Sequence, residues 1–227
     1  RMGAMNKPFI ALLGALVLGG CLSVNSDIEI PDGETAERSL NTVNGSVRVG
    51  TGCTVEGGIK TVNGSISVGS DSRIAGNIET VNGKVSLERG VEAGSARTVN
   101  GSIEFGEGVE VEDQVETVNG RVVIGGDSVV GGRVESVNGQ IRLVRATAGS
   151  LRNRRGGMVL EAGSRVLGEL RVTKAGARER NDPVLVEIHA NCEVTGPLVF
   201  ERPVRLRIHE TAEVGEIRGA EPEYFSD

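Results

Sequence analysis

Apolar residues along this chain fall into columns at a nearly fixed interval. Leu40, Ile59, Ile78, Ala96, Val115, Val134, Leu151, Leu170, Leu198 and Ile217 are separated by 19, 19, 18, 19, 19, 17, 19, 28 and 19 residues. A second column runs through Val47, Ile66, Val85, Ile103, Val122, Ile141 and Met158. Each of these is followed two residues later by another apolar side chain: Val49, Val68, Leu87, Phe105, Ile124, Leu143 and Leu160. Alternation of this kind predicts short strands buried on one side. A third column reads Val-x-Gly-x-apolar, as in Val55-Gly57-Ile59, Ile74-Gly76-Ile78, Val130-Gly132-Val134, Val166-Gly168-Leu170 and Val194-Gly196-Leu198. The period is too short for two packed helices. Three strands per period, with glycines at corners expected to need positive φ, predict an all-β, single-stranded parallel β-helix of roughly nine to ten coils. At about 4.8 Å per coil the rod would be roughly 45 Å long. The 28-residue interval holds a polar stretch, Ala177 to Pro183, so a loop insertion is expected at 176–183.

The same period carries a polar motif. Thr-Val-Asn-Gly, or Ser-Val-Asn-Gly in the last copy, occurs six times and places asparagine at Asn44, Asn63, Asn82, Asn100, Asn119 and Asn138. In a solenoid these amides stack and can hydrogen-bond from coil to coil, a structural ladder that need bind nothing. Asparagine also tolerates the left-handed turn conformation, which fits the same position. Asn-Gly is equally a hairpin signal, and a meander would place Ile59, Thr61, Ile66 and Val68 acceptably on one face. Arg155-Gly156 and Ala175-Gly176, however, replace the motif while the period persists. A tight hairpin depends on its turn residues and a solenoid corner does not, so the solenoid is preferred. Beside the first column, Lys60, Glu79, Arg97, Glu116, Glu135, Arg152 and Arg171 form an outward row of mixed sign. Ladder pairs in such a row contribute a few tenths of a kcal/mol each. The register also reaches backwards, because Val24-Asn25-Ser26-Asp27-Ile28 lies 19 residues before Val43-Asn44-Gly45-Ser46-Val47.

Composition agrees with a thin core of branched side chains: 34 glycines, one Tyr and no Trp. The start of the chain adds a different signal. Lys7 precedes the apolar run Phe9 to Leu18, which is about half a bilayer span and is followed by Gly19-Gly20-Cys21. That order describes an export signal, with Arg1 to Ala4 as an upstream extension and Met5 as the start. Leu18-Gly19-Gly20-Cys21 resembles the bacterial lipobox, which implies lipid attachment at Cys21 and a membrane anchor. Leu22 stands where an aspartate would redirect sorting, which under that resemblance implies the outer membrane, on either its periplasmic or its surface face. The expected organisation is an extension and cleaved signal at 1–20, an acylated cysteine and degenerate first coil at 21–39, the solenoid at 40–219 and a C-terminal cap at 220–227.

Loss of residues 1–20 removes Arg1 and Lys7 and moves the net charge from −6 to −8. An acidic rod argues against general nucleic-acid binding. Its charges segregate: Glu104, Glu107, Glu110, Glu112, Asp113 and Glu116 make an acidic middle. Arg142, Arg145, Arg152, Arg154, Arg155, Arg171 and Lys174, with Arg165, make a later basic third and a candidate patch for anionic glycans or phosphates. A solvated surface of mixed sign is the plainer reading. Cys53 and Cys192 share a column seven coil steps apart, about 34 Å, beyond disulfide reach. Ser72, Ser128 and Ser164 share it too, so a small corner residue is expected, with bridging between chains as the alternative. His189 and His209 follow Ile188 and Ile208 in adjacent coils and are expected at an exposed corner, without a third metal ligand at recognisable spacing. Asp71 and Asp127 share a column three coils apart and make no catalytic acid pair. No cofactor and no metal is implied.

The Val-x-Gly-x-apolar side with alternating Val and Ile resembles the bactofilins, polymer-forming bacterial cytoskeletal β-helices. The Thr-Val-Asn-Gly-Ser-Val and Thr-Val-Asn-Gly-Ser-Ile runs at 42–47 and 61–66 resemble an adhesin-repeat family of bacterial β-solenoids more closely. Together the resemblances cover residues 24 to about 219. They imply a non-enzymatic lipoprotein with a structural or adhesive role, binding envelope polymers or partner proteins. The alternative they imply is a self-associating, bactofilin-like scaffold; a polysaccharide-active enzyme is the least favoured reading.

Overall fold

The computed structural model describes residues 22–174, 176 and 182–226. The expected signal segment and Cys21 lie outside them, as does most of the expected loop. The described residues form strands and turns, with every strand pairing parallel and each strand, apart from those of the terminal coils, bonded to those one period before and after it. The chain is a parallel β-solenoid of about ten turns with about 19 residues per coil.

Each coil contributes to three faces. The first holds Leu40–Thr42, Ile59–Lys60, Ile78–Glu79, Ala96–Thr98, Val115–Thr117 and their successors, down to Ile217–Arg218. The second holds 11 strands from Ile28–Ile30 to Pro222–Phe225. The third runs from Thr35–Ala36 through Thr54–Val55 and Arg73–Ile74 to Glu213–Val214. In two coils the third and first faces merge, because Val129–Ser136 and Thr147–Asn153 cross the corner as unbroken strands. Those crossings join the two faces into one 19-stranded sheet. Glycine makes the crossing feasible: a Cβ on Gly131 would lie 2.4 Å from the Glu112 carbonyl oxygen, and one on Gly149 2.3 Å from that of Gly131.

Register follows the apolar columns. Leu40 stands opposite Ile59, Ile59 opposite Ile78, Ile78 opposite Ala96, and Val134 opposite Leu151 despite the shortened interval. Leu170 stands opposite Leu198 across the 28-residue interval, so the extra residues between Val172 and Val184 leave the register of the stack intact. Val47, Ile66, Val85, Ile103, Val122, Ile141 and Met158 are all fully buried. Burying each such side chain contributes about 1.5–3 kcal/mol, and repetition along the axis compensates for a core only a few side chains wide. At the far end Pro222–Phe225, expected as a cap, adds a parallel strand to Leu206–His209.

One expectation about the corners is overturned. Positive φ occurs neither at the ladder asparagines and their glycines nor in the Val-x-Gly turns. Among the described residues it occurs at Gly219, directly after the first-face strand Ile217–Arg218, and otherwise at the corner leaving the second face, at Gly33, Gly52, Asp71, Gly90, Gly108, Asp127, Arg145, Ala162, Gly163 and Asn191. The motif glycines are needed for a different reason, which is close approach of one coil to the next. A Cβ on Gly64, Gly83, Gly101 or Gly120 would lie 1.9 Å from the carbonyl oxygen of the motif glycine one coil earlier.

Candidate functional site: the amide ladder and its flanking rows

The repeated tetrapeptide builds one longitudinal surface, and three of its four residues have a bond or contact that explains them. The threonine points inward, and its hydroxyl donates to the carbonyl of the preceding coil's glycine: Thr61 to Gly45 at 2.8 Å, Thr80 to Gly64 at 2.9 Å, Thr117 to Gly101 at 2.9 Å. Ser136 and then Asn153 take over the role, on Gly120 and Gly139. That same carbonyl lies against the next glycine. The asparagines form the ladder: Asn44 Nδ2 donates to Asn25 Oδ1, Asn63 to Asn44, Asn82 to Asn63, Asn100 to Asn82 and Asn119 to Asn100, each at 2.8 Å. Asn138 donates to Asn119 at 2.6 Å, and Arg155 Nη1 donates to Asn138 Oδ1 at 3.4 Å. The expected stack is present, and Asn25 extends it by one coil. Its asparagines are selected by amide bonding, because none of them adopts the left-handed conformation.

Beside the ladder, the mixed-sign row is bonded coil to coil. Lys60 pairs with Glu79 at 3.2 Å, Arg97 with Glu116 at 3.1 Å, and Arg152 reaches Glu135 at 4.0 Å. Arg171 joins Glu169 at 2.6 Å and also Glu201. Between this row and the valines of the motif lies a shallow groove of about 410 Å³, floored by the threonines and walled by Val81, Val99 and Val118. On the second face Lys84 hydrogen-bonds Glu104 at 2.6 Å, and this bond foremost holds the Glu104 carboxyl below the usual carboxylate range against partial burial. The hydrogen bond from Arg171 does the same for Glu169.

The candidate anion patch is brought together only in part, because Arg152 and Arg171 stand opposite each other on paired strands while Arg142 and Arg145 lie on and beyond another face. Arg152 and Arg171 lie on the first face. Arg154 and Arg155 occupy the corner where the Asn-Gly motif ends. Arg142 is on the second face against Glu161 at 2.6 Å, and Arg145, at the positive-φ corner, meets Glu107 at 3.5 Å and Asp127 at 3.4 Å. The Lys174 backbone N–H donates to Glu201. The column is one of cations interleaved with carboxylates from neighbouring coils. Sequence reasoning missed those carboxylates because Glu161, Glu169 and Glu201 lie a coil away or on the same strand in no repeating pattern.

Cys53 and Cys192 are unpaired and almost fully buried, each about 1% exposed. Cys53 Sγ donates to the Pro31 carbonyl at 3.0 Å, and burial pushes the Cys192 thiol pKa up. Their burial removes them from reach of a second chain, which corrects the bridging alternative and leaves the small-corner reading. The histidine corner also differs from expectation. His209 is buried, with Nδ1 accepting from the Thr211 backbone N–H at 3.1 Å. Phe225 sits edge-on to His189 and His209 at 5.6 and 5.2 Å, and the Arg207 guanidinium lies 4.8 Å over its ring. A strand added after Ile217–Arg218 covers what the spacing alone made look like surface. Among the described residues no group of three His, Cys, Asp or Glu side chains is placed to hold a metal ion. No helix among them is long and apolar enough to cross a membrane.

The geometry defines a parallel β-solenoid with a hydrogen-bonded side-chain ladder. Searches against family models, curated proteins and solved structures found no match.

Proposed function

We propose that this chain is a non-enzymatic outer-membrane lipoprotein, tethered through Cys21, whose solenoid serves a structural or adhesive role against envelope polymers or partner proteins. The observation that carries the reading is the use made of polar side chains. Threonine, asparagine and the charged rows bond from coil to coil along the rod. Such bonding stiffens the rod and presents the same outer rows at every rung, a body suited to spacing and display. The lipobox-like Leu18 to Cys21 supplies the tether. The test is metabolic labelling with a fatty-acid analogue in a Gram-negative host. The wild-type chain takes the label and sediments with outer membranes, whereas Cys21→Ser loses both; an unlabelled wild type overturns the anchor. For the partner, replacing Arg152, Arg154 and Arg155 by Glu abolishes retention on an anionic glycan column, and unchanged retention overturns glycan binding through that region.

A self-polymerising scaffold is the second reading, and one observation favours it. Among the described residues the outer edges of the first and last coils have no strand partner. Their charges oppose head-to-tail contact, with Asp27, Glu29, Asp32, Glu34 and Glu37 at one end and Glu213, Glu216, Glu221 and Glu223 at the other. Filaments by negative-stain microscopy that appear only at high ionic strength are the outcome this reading expects.

A further inference from the structure

The last rung of the asparagine ladder is bonded differently from the rungs before it. Asn63, Asn82 and Asn100 sit in β-bridges between coils, and each side-chain oxygen accepts from the amide of the next coil at 2.8 Å. The nitrogen that follows such an asparagine is tied to the neighbouring coil as well: the Gly64 N–H donates to the Asn82 carbonyl at 3.1 Å. At Asn138 the next coil supplies a cation in place of an amide, and Arg155 Nη1 donates to Asn138 Oδ1 at 3.4 Å. The Gly139 N–H is bonded inside its own turn, to Ser136 Oγ at 3.0 Å. Ser136 is buried and stands where the five earlier copies of the motif have threonine, while Asn138 is exposed.

We propose that Asn138 is a self-modification site, converted to aspartate and isoaspartate by the backbone nitrogen of Gly139. Asn-Gly is the pair in which this nitrogen reaches the side-chain carbonyl carbon with least hindrance, because glycine carries no Cβ. The Gly139 nitrogen bonds to Asn138 Cγ, and the carbonyl electron pair moves onto Oδ1, where the Arg155 guanidinium stabilises the oxyanion. Collapse of that intermediate breaks the Cγ–Nδ2 bond; Nδ2 leaves as ammonia, carrying the proton that Gly139 gave up, and a five-membered succinimide remains. Water adds to one or other ring carbonyl and opens the ring to aspartate or isoaspartate. The new carboxylate lies beside Arg155, which donates to it. Closing the ring at an interior rung withdraws the amide from two ladder bonds and the peptide from its β-bridge. At Asn138 the only ladder amide left behind is Asn119, and the Ser136 bond to the attacking nitrogen ties it to no other coil. Isoaspartate adds a carbon to the backbone, and it does so at the junction between the ladder coils and those beyond Gly139. The inference does not depend on the lipid anchor or on glycan binding.

The test incubates the purified full chain at neutral pH, in mild detergent that keeps the apolar segment at 9–18 dispersed. Peptide mass spectrometry follows the conversion of amide to acid at each of the six Asn-Gly pairs. With one ladder bond fewer to break, Asn138 in the folded chain is expected to convert roughly tenfold faster than Asn63, Asn82 or Asn100. In urea the six pairs convert at similar rates. Arg155→Met slows conversion of folded Asn138, Arg155→Lys restores part of the rate, and neither matters in urea. A folded Asn138 that converts no faster than Asn100 overturns the proposal. An Arg155→Met chain in which Asn138 converts as fast or faster also overturns it, since an arginine that merely held the rung in place would quicken the reaction when removed.

Discussion

Coils up to Gly139 and coils beyond it are held together by different means. In the earlier coils the same contacts recur: a hydroxyl on a glycine carbonyl, a glycine against a glycine, an amide on an amide. In the later coils the contacts are singular. Arg202, buried, donates to the carbonyl of Arg154 at 2.9 Å and to that of Asp182 at 2.9 Å, tying together coils that are not neighbours in the stack. Phe225 closes over His189 and His209. A repeated bond is individually weak and can be lost in one coil while its neighbours persist, whereas a singular contact has no substitute. The period survives the change because the apolar columns, common to both regions, set the register.

The largest effect expected from breaking this pattern is steric. Gly120→Ala places a methyl 1.9 Å from the Gly101 carbonyl oxygen and should destabilise by about 3 kcal/mol, whereas Gly108→Ala, at φ +65° with nothing within 4 Å, should cost about 1 kcal/mol. Urea titration of the two variants measures the difference, and equal losses would refute close approach as the reason for the motif glycine. Next in size, Arg202→Met removes two bonds that a buried guanidinium donates to the Arg154 and Asp182 carbonyls and should cost about 2–3 kcal/mol. Hydrogen exchange should quicken in coils from Asn153 to His209 and stay slow from Val47 to Ile124; uniform quickening would mean that the halves are one cooperative unit.

The contrast between these halves also explains what could be read beforehand. Ile59, Ile78, Leu170 and Leu198 announce their pairing because burial demands an apolar side chain at one position per coil, whatever the loop between them. The asparagine stack was legible for a similar reason, since one residue type recurs at one interval. The left-handed corner was hidden, because Asp71, Asp127, Arg145, Ala162 and Asn191 adopt it alongside glycines, so no single letter marks the column. The motif glycine misled, because the residue suited to positive φ is also the one that leaves room for a neighbouring backbone. Singular contacts such as Arg202 on Arg154, 48 residues apart, leave no periodic trace at all.

Smaller effects sharpen the comparison. Asn100→Ala breaks one donated and one accepted ladder bond at an exposed position and should cost about 1 kcal/mol, read by thermal melting. Asn153→Ala, in the later region, should cost more, because that side chain is buried and serves Gly139, Gly156 and Arg154 together. The smallest is electrostatic. Glu104 and Glu169 are held below the usual carboxylate range by Lys84 and Arg171. Their contribution is therefore fully present above the unfolded-state pKa and is lost as pH falls through the lower folded-state value. Glu104→Gln should flatten the acid limb of the stability–pH curve, and an unchanged slope would show that the Lys84 pair contributes nothing.

Every amide in the ladder donates toward the start of the chain and accepts from the coil after it. Backbone bonds between parallel strands alternate in direction, as Asn63 N–H to Val43 and Gly64 N–H to Asn82 illustrate, so their dipoles largely cancel. The side-chain dipoles add. The ladder is thus a polarised thread with its positive pole at Asn25 and its negative pole at Asn138, the same sense as a helix macrodipole. The guanidinium of Arg155 sits at the negative pole, where a cation is favoured. A rod with such a thread along one edge has a head and a tail, and anything that lengthens the thread must be laid on facing one way.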